Sequence, residues 1–132
     1  MKLTDILLRD VVTVNKADTY QDNEIQCDKL RIGSARTAQI QLCGEKITNN
    51  HLVIDFSQGK AQFQCKKPNY VLLNGVASNK GSLAVGDDIH IESHRLTVIP
   101  PPAGFGFALE VRVDTELQNH ALESAYSTTL AT

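Results

Sequence analysis

A few residues in this chain have types and spacings that could do chemistry. His51 follows Thr48 closely and shares a polar loop set with Ser34. An imidazole beside a hydroxyl could act as a base on a nucleophile. A triad also needs a group that orients the imidazole, and the sequence places no acidic residue to do so. The plainer role for His51 is a partly buried ring that hydrogen-bonds loop backbone. His90 and His94 stand four apart, a metal-binding spacing on a helix, but their segment alternates as strands around a turn at Ser93-His94. No third ligand is identifiable, and neither a metal nor any other cofactor is expected. Asp87-Asp88 after Gly86 could suggest a cation site, but Asp in this setting commonly hydrogen-bonds turn backbone. Gly104-Phe105-Gly106-Phe107 lacks the Lys-Ser/Thr and the helix start that a phosphate loop needs. Lys66-Lys67 reads as a solvated loop tip or as a contact for an acidic or phosphorylated partner. No nucleophile–base pair or metal set emerges, so the chain reads as a non-enzyme.

The elements that must position these residues are short β-runs. Leu30-Arg31-Ile32, Ile40-Gln41-Leu42 and Leu52-Val53-Ile54 are separated by polar loops bearing Ser34, Arg36, Thr48, Asn49, Asn50 and His51. Rigid strands carrying polar loop tips are the layout of a recognition module. Ile6–Val14 is rich in β-branched residues and reads as a first strand. Residues 15–23 read as a polar, turn-forming stretch. Ile25, Cys27 and Leu30–Ile32 make a second strand region that Gly33 ends. Strands follow at Gln39–Leu42, His51–Phe56, Ala61–Cys65 and Tyr70–Leu73, with turns at Gly59-Lys60 and Asn74-Gly75. Residues 78–86 read as a polar connection with Leu83 and Val85 tucked inward. Asp87–Glu92 and Arg95–Ile99 alternate as a pair, and Pro100-Pro101-Pro102 stops pairing. Phe105, Phe107, Leu109, Val111 and Val113 alternate with smaller or polar residues, the cleanest period-two pattern in the chain. Ten or eleven short strands at this spacing predict an all-β sandwich.

The chain has 132 residues, 42% of them hydrophobic and 21% charged, enough for one domain with a core. The expected division is a sandwich over 1–113 and a tail or linker over 114–132. A net charge of -2 argues against a general affinity for nucleic acid or anionic membrane. Cys27, Cys43 and Cys65 are odd in number and lack a CxxC pair, and each lies in or beside an apolar run. They are expected to be free, buried thiols of a reducing, cytoplasmic compartment. No run approaches the roughly 20 apolar residues of a membrane span, so this segment is not expected to insert.

From Leu30 to Val98 the residues resemble the forkhead-associated (FHA) domain, a β-sandwich that recognises phosphothreonine peptides. The resemblance rests on Ile32-Gly33-Ser34, Gln39-Ile40-Gln41-Leu42, Thr48-Asn49-Asn50-His51, Asn69-Tyr70, Asn74-Gly75 and Gly86-Asp87-Asp88-Ile89-His90-Ile91, in the family's order and spacing. It implies an FHA/SMAD-like sandwich of two antiparallel sheets. It also implies that the loops 33–38, 45–50, 66–70 and 74–78 form one rim. Thr48 would stand in for the family's phosphate-binding Ser and Asn69 would hold an extended peptide backbone. Gly33, His51, Asn74 and Gly75 would support the site. The departures fall on the ligand positions. The family's Arg after Ile-Gly is Ser34, the Arg after the phosphate-binding Ser is Asn49, and the Gly of the first Asn-Gly is Tyr70. Arg36, Lys66 and Lys67 lie in the same loops and could restore charge.

The expectation is a docking module for a protein or peptide partner, phosphorylated or not, with a degenerate phosphothreonine site. The alternatives are a working phosphothreonine reader using Thr48, Asn69 and Arg36, and a self-associating structural domain of a membrane complex. The chain also looks like FHA-like amino-terminal domains that precede membrane segments in some bacterial proteins. That layout would tether it to the inner membrane through a segment after Thr132.

Overall fold

A computed structural model describes residues 3–44, 47–57, 59–66 and 71–113. Its described residues form twelve strands in two facing sheets. The first is seven-stranded and runs β2 (Ala17–Cys27), β1 (Thr4–Val14), β12 (Phe107–Val113), β11 (His94–Ile99), β10 (Asp88–Ile91), β7 (Val71–Leu73) and β8 (Val76–Ser78). The second is five-stranded and runs β4 (Ile40–Gln41), β3 (Lys29–Gly33), β5 (Leu52–Ser57), β6 (Lys60–Cys65) and β9 (Lys80–Leu83). The pairing is antiparallel except for β1 with β12 and β3 with β4, so each sheet is mixed.

The core follows from period-two alternation. Side chains two apart on a strand share a face, and the inward sets are apolar: Ile6 and Leu8, Leu30 and Ile32, Leu52 and Ile54, Ile89 and Ile91, Leu96 and Val98. Phe107, Leu109 and Val111 of the predicted alternating strand join them. Each large side chain buried this way contributes about 1.5–3 kcal/mol. Phe56 of the five-stranded sheet meets Phe107 of the other with ring centroids 5.0 Å apart and planes tilted by 59°.

Several elements differ from the sequence reading. Residues 15–23 are not a loop. Only Asn15 and Lys16 turn, both with positive φ, and Ala17 pairs straight back to Val14. β2 then runs as an edge strand exposed from Ala17 to Glu24. Its lack of apolar alternation hid it; β1 supplies its backbone hydrogen bonds. The region 25–32 is likewise two strands, divided at Asp28. Val85 is exposed rather than tucked in, whereas Leu83 packs on the core. Cys43 is exposed, while Cys27 and Cys65 are buried, and all three are free. Burial raises the Cys27 thiol and pushes Cys65 up to about 11, so neither is a ready thiolate. Residues 114–132 lie outside the described residues.

The pairings also sort the turns into two ends. Gly33, Leu52, Cys65 and Ile91 all finish or begin at one end. Residues 34–39, 42–44 and 47–51 and the turn at Glu92-Ser93 are therefore neighbours. Residues 74–75, 84–87 and 100–106 gather at the other end.

Candidate functional site

The rim is built around a close approach of two loops. β3 ends at Gly33, and a Cβ there would lie 2.1 Å from the Asn49 carbonyl oxygen and 2.7 Å from that of Thr48. No side chain fits, because the obstruction is backbone. The approach lets the Ser34 N–H donate to the Thr48 carbonyl at 3.0 Å and the Ala35 N–H to the Asn49 carbonyl at 3.3 Å. The Leu42 N–H donates to the Gly33 carbonyl at 2.8 Å, and Gln41 Nε2 to the Ser34 carbonyl at 3.2 Å. Residues 34–39 and 47–51 are thus laced into one surface.

His51 holds this surface from beneath. It is buried, unlike Thr48, Asn49 and Asn50 just before it. The Thr48 N–H donates to its Nδ1 at 3.3 Å. An accepting Nδ1 carries no proton, so the hydrogen of the neutral ring sits on Nε2. The ring acts on the backbone of the loop, with Thr48, Asn49 and Asn50 turned outward.

Ser34 and Asn49 meet directly. Ser34 Oγ donates to Asn49 Oδ1 at 3.1 Å. Arg36 is exposed on the 34–39 loop, and Lys66 is exposed at the end of β6. Lys67 and Asn69 lie outside the described residues.

Asn74 and Gly75 are not on this rim. They form a two-residue hairpin turn between β7 and β8 with φ of 51° and 85°, the positive-φ pair that Asn-Gly adopts readily. The turn sits at the opposite end of β7. There Asn74 Oδ1 accepts from the Asp88 N–H at 2.9 Å and Asn74 Nδ2 donates to Asp87 Oδ1 at 3.1 Å. Asp87 Oδ2 accepts from the Ala84 N–H at 2.8 Å. This network of side chains and backbone fastens the start of β10 and organises the far end of the sandwich. Of the loop 74–78, β8 alone runs back toward the rim.

The β10–β11 turn supplies a rim contact that motif reading missed. The His94 Nε2–H donates to the Cys43 carbonyl at 3.0 Å, tying the seven-stranded sheet to the 42–51 loop. His94 pairs opposite the inward Ile91, whereas His90 is that residue's neighbour on the strand. The two imidazoles therefore point to opposite faces and do not converge. Among the described residues no group of three or more His, Cys, Asp or Glu is placed to hold a metal ion.

The architecture has counterparts among solved structures. A domain from a structural and functional study of phosphothreonine-dependent FHA domain interactions matches 77% of this chain and 99% of its own, with a TM-score of 0.57 and 19% identity. The fold is that of the FHA domain. EmbR of Mycobacterium tuberculosis, solved in complex with a low-affinity phosphopeptide, matches at a TM-score of 0.55 and 18% identity, over 74% of this chain and 24% of EmbR. The FHA domain of a Chlamydia trachomatis protein matches at 0.53 and 17%, over 73% of this chain and 98% of that one. At such identities the likeness is one of fold. No protein-family model and no curated protein sequence matches the chain. Within the FHA fold, the laced loops occupy the end where β3, β5 and β6 meet.

Proposed function

We propose that this chain is a non-catalytic docking module for a protein or peptide partner, with a degenerate phosphothreonine site. One observation carries the reading: Ser34 and Asn49 hydrogen-bond to each other at 3.1 Å. These are the positions at which the FHA resemblance expects two arginines. A hydrogen bond to a charged group contributes about 1.5–3 kcal/mol, so losing two removes about a hundredfold or more in affinity. The rim keeps its shape without that cationic grip. Thr48 would donate to an acceptor on the partner, Asn69 would hold an extended backbone, and Arg36, Lys66 and Lys67 would supply charge. The phosphothreonine dependence described for the similar FHA domain supports a polypeptide partner.

Titration calorimetry with a phosphothreonine peptide and its unmodified twin tests this. Equal affinities for the two are expected. A phosphothreonine preference above about tenfold that Thr48→Ala abolishes would overturn the degenerate reading and establish a working reader.

A further inference from the structure

The outer face of the five-stranded sheet carries an open groove of about 810 Å³. Its lining includes four cations, Lys29, Arg31, Lys66 and Lys80, and one carboxylate, Asp55. The register arranges them in rows. Arg31, Val53, Gln64 and Lys80 lie directly opposite one another across β3, β5, β6 and β9. This row has a cation at each end and an aliphatic and an amide side chain between. Lys29, Asp55, Gln62 and Ser82 form the next row away from the rim.

Among the described residues none of the four cations makes an ion pair, although Asp55 stands opposite Lys29 in the register. The arginines of the other sheet behave differently: Arg9, Arg95 and Arg112 are each bonded to a carboxylate. The chain as a whole is slightly acidic, so this local positive surplus runs against its average. Lys29 and Arg31 stand two apart on one side of β3, close enough for their repulsion to cost stability. An anion lying across them relieves that cost and gains from all four.

The lining favours one class of anion. Among the described residues Phe63 is the only aromatic in the lining, and it is buried, so none of them offers an exposed ring as a base-stacking platform such as single-stranded nucleic acid sites use. Val53 is the main apolar side chain on the floor, too little to anchor a lipid surface. Asn50, Gln62 and Gln64 can both donate to and accept from a peptide backbone. Three strand spacings separate Arg31 from Lys80, about 14 Å. An extended chain covers that distance in about four residues. We infer that the outer face of the five-stranded sheet is a docking groove for an extended acidic polypeptide segment, with carboxylates about four residues apart answering Arg31 and Lys80.

The groove adjoins the rim and shares Asn50 and Lys66 with its loops, so its test rests on Arg31 and Lys80, which lie off the rim. Fluorescence anisotropy with a labelled dodecapeptide of alternating Glu and Ser, at low and moderate salt, is the measurement. Binding that weakens about tenfold or more in the double variant R31E/K80E, weakens with salt, and is unchanged in Thr48→Ala is expected. No binding, or equal binding by R31E/K80E with an unaltered circular dichroism spectrum, overturns the groove. Should R31E/K80E not fold, the milder pair R31Q/K80Q makes the same comparison. Tighter binding of single-stranded oligouridylate or of phosphatidylserine vesicles than of the peptide overturns the assignment to a polypeptide.

Discussion

The outer faces of the two sheets handle charge in opposite ways. On the seven-stranded face, Arg95 and Arg112 stand opposite one another across β11 and β12, which alone would repel. Each is drawn to an acid: Arg95 to Asp88 at 2.7 Å and Arg112 to Glu110 at 2.7 Å, with Asp18 3.9 Å from Arg112. Thr97 Oγ1 donates to the other oxygen of Asp88 at 2.6 Å. Farther out, Arg9 bonds Asp22 and lies 5.5 Å from the Tyr20 ring centroid. That face is electrostatically finished. The five-stranded face has the same strand geometry, and among the described residues its cations make no ion pair. Charge on one sheet therefore serves the fold, and on the other it is available to something outside it.

Substitutions at graded positions can break or sharpen this contrast. The largest effect belongs to Gly33, which shares the outward side of β3 with Arg31 but is roofed by the 48–49 loop. Gly33→Ala should cost about 3 kcal/mol, read as a lower urea midpoint, because the blocking atoms are backbone. A neutral Gly33→Ala would mean the loop is not seated on the sheet and the groove extends over the rim.

Next comes Asp88. Asp88→Ala should cost about 1–2 kcal/mol in urea unfolding, by freeing Arg95 to face Arg112 and stranding the Thr97 hydroxyl. The hydrogen bond from Arg95, seconded by that from Thr97, holds the Asp88 carboxyl below its usual value against the opposing effect of burial. A carboxylate whose folded pKa is depressed stabilises fully above the ordinary carboxylate range and loses that contribution as pH falls through it. Asp88→Asn should therefore flatten the decline of stability below about pH 4. An unchanged acid limb would show that the seven-stranded face does not depend on this pair.

Neutralising the five-stranded face should do the reverse. Lys29→Gln with Lys80→Gln is expected to leave the urea midpoint unchanged or slightly higher at low salt, since surface charges without partners contribute little or nothing to folding. A clear loss of stability would place those lysines in the fold's own service and dissolve the contrast. Smallest of all is Arg9→Ala. Its pair with Asp22 is solvent-exposed, and the midpoint should not move measurably.

Much of the sandwich was legible because alternation is imposed by the pleat. The run from Phe107 to Val111 shows it, as do Ile89 with Ile91 and Leu96 with Val98. Asn74-Gly75 announced its turn because few dipeptides accept two positive φ values. What escaped was set by pairing across long distances. Nothing in Thr4–Val14 says that it lies parallel to a strand almost a hundred residues later, so burial of Leu7 and Ala108 on the outer side of the sheet was unreadable. β2 escaped because its side chains meet water on both sides. On the rim, the tight backbone at Gly33 and a buried His51 bonded to loop backbone were readable. The Ser34–Asn49 bond and the His94 contact to Cys43 were not, because each joins loops whose approach only the folded sheets define. Motif order puts Asn74-Gly75 on the rim because it carries no information about which end of a strand a turn occupies.

β2 lies at the edge of its sheet; among the described residues no strand pairs with its outer side, so every second residue along its eleven leaves its N–H and C=O facing outward. An exposed ribbon of this length is a template on which other chains can add and grow. Its sequence carries Asp18, Asp22 and Glu24 and no Lys or Arg. Two such edges meeting side by side would stack negative on negative. The ribbon that the sandwich leaves open is thereby made a poor seed for its own fibrils.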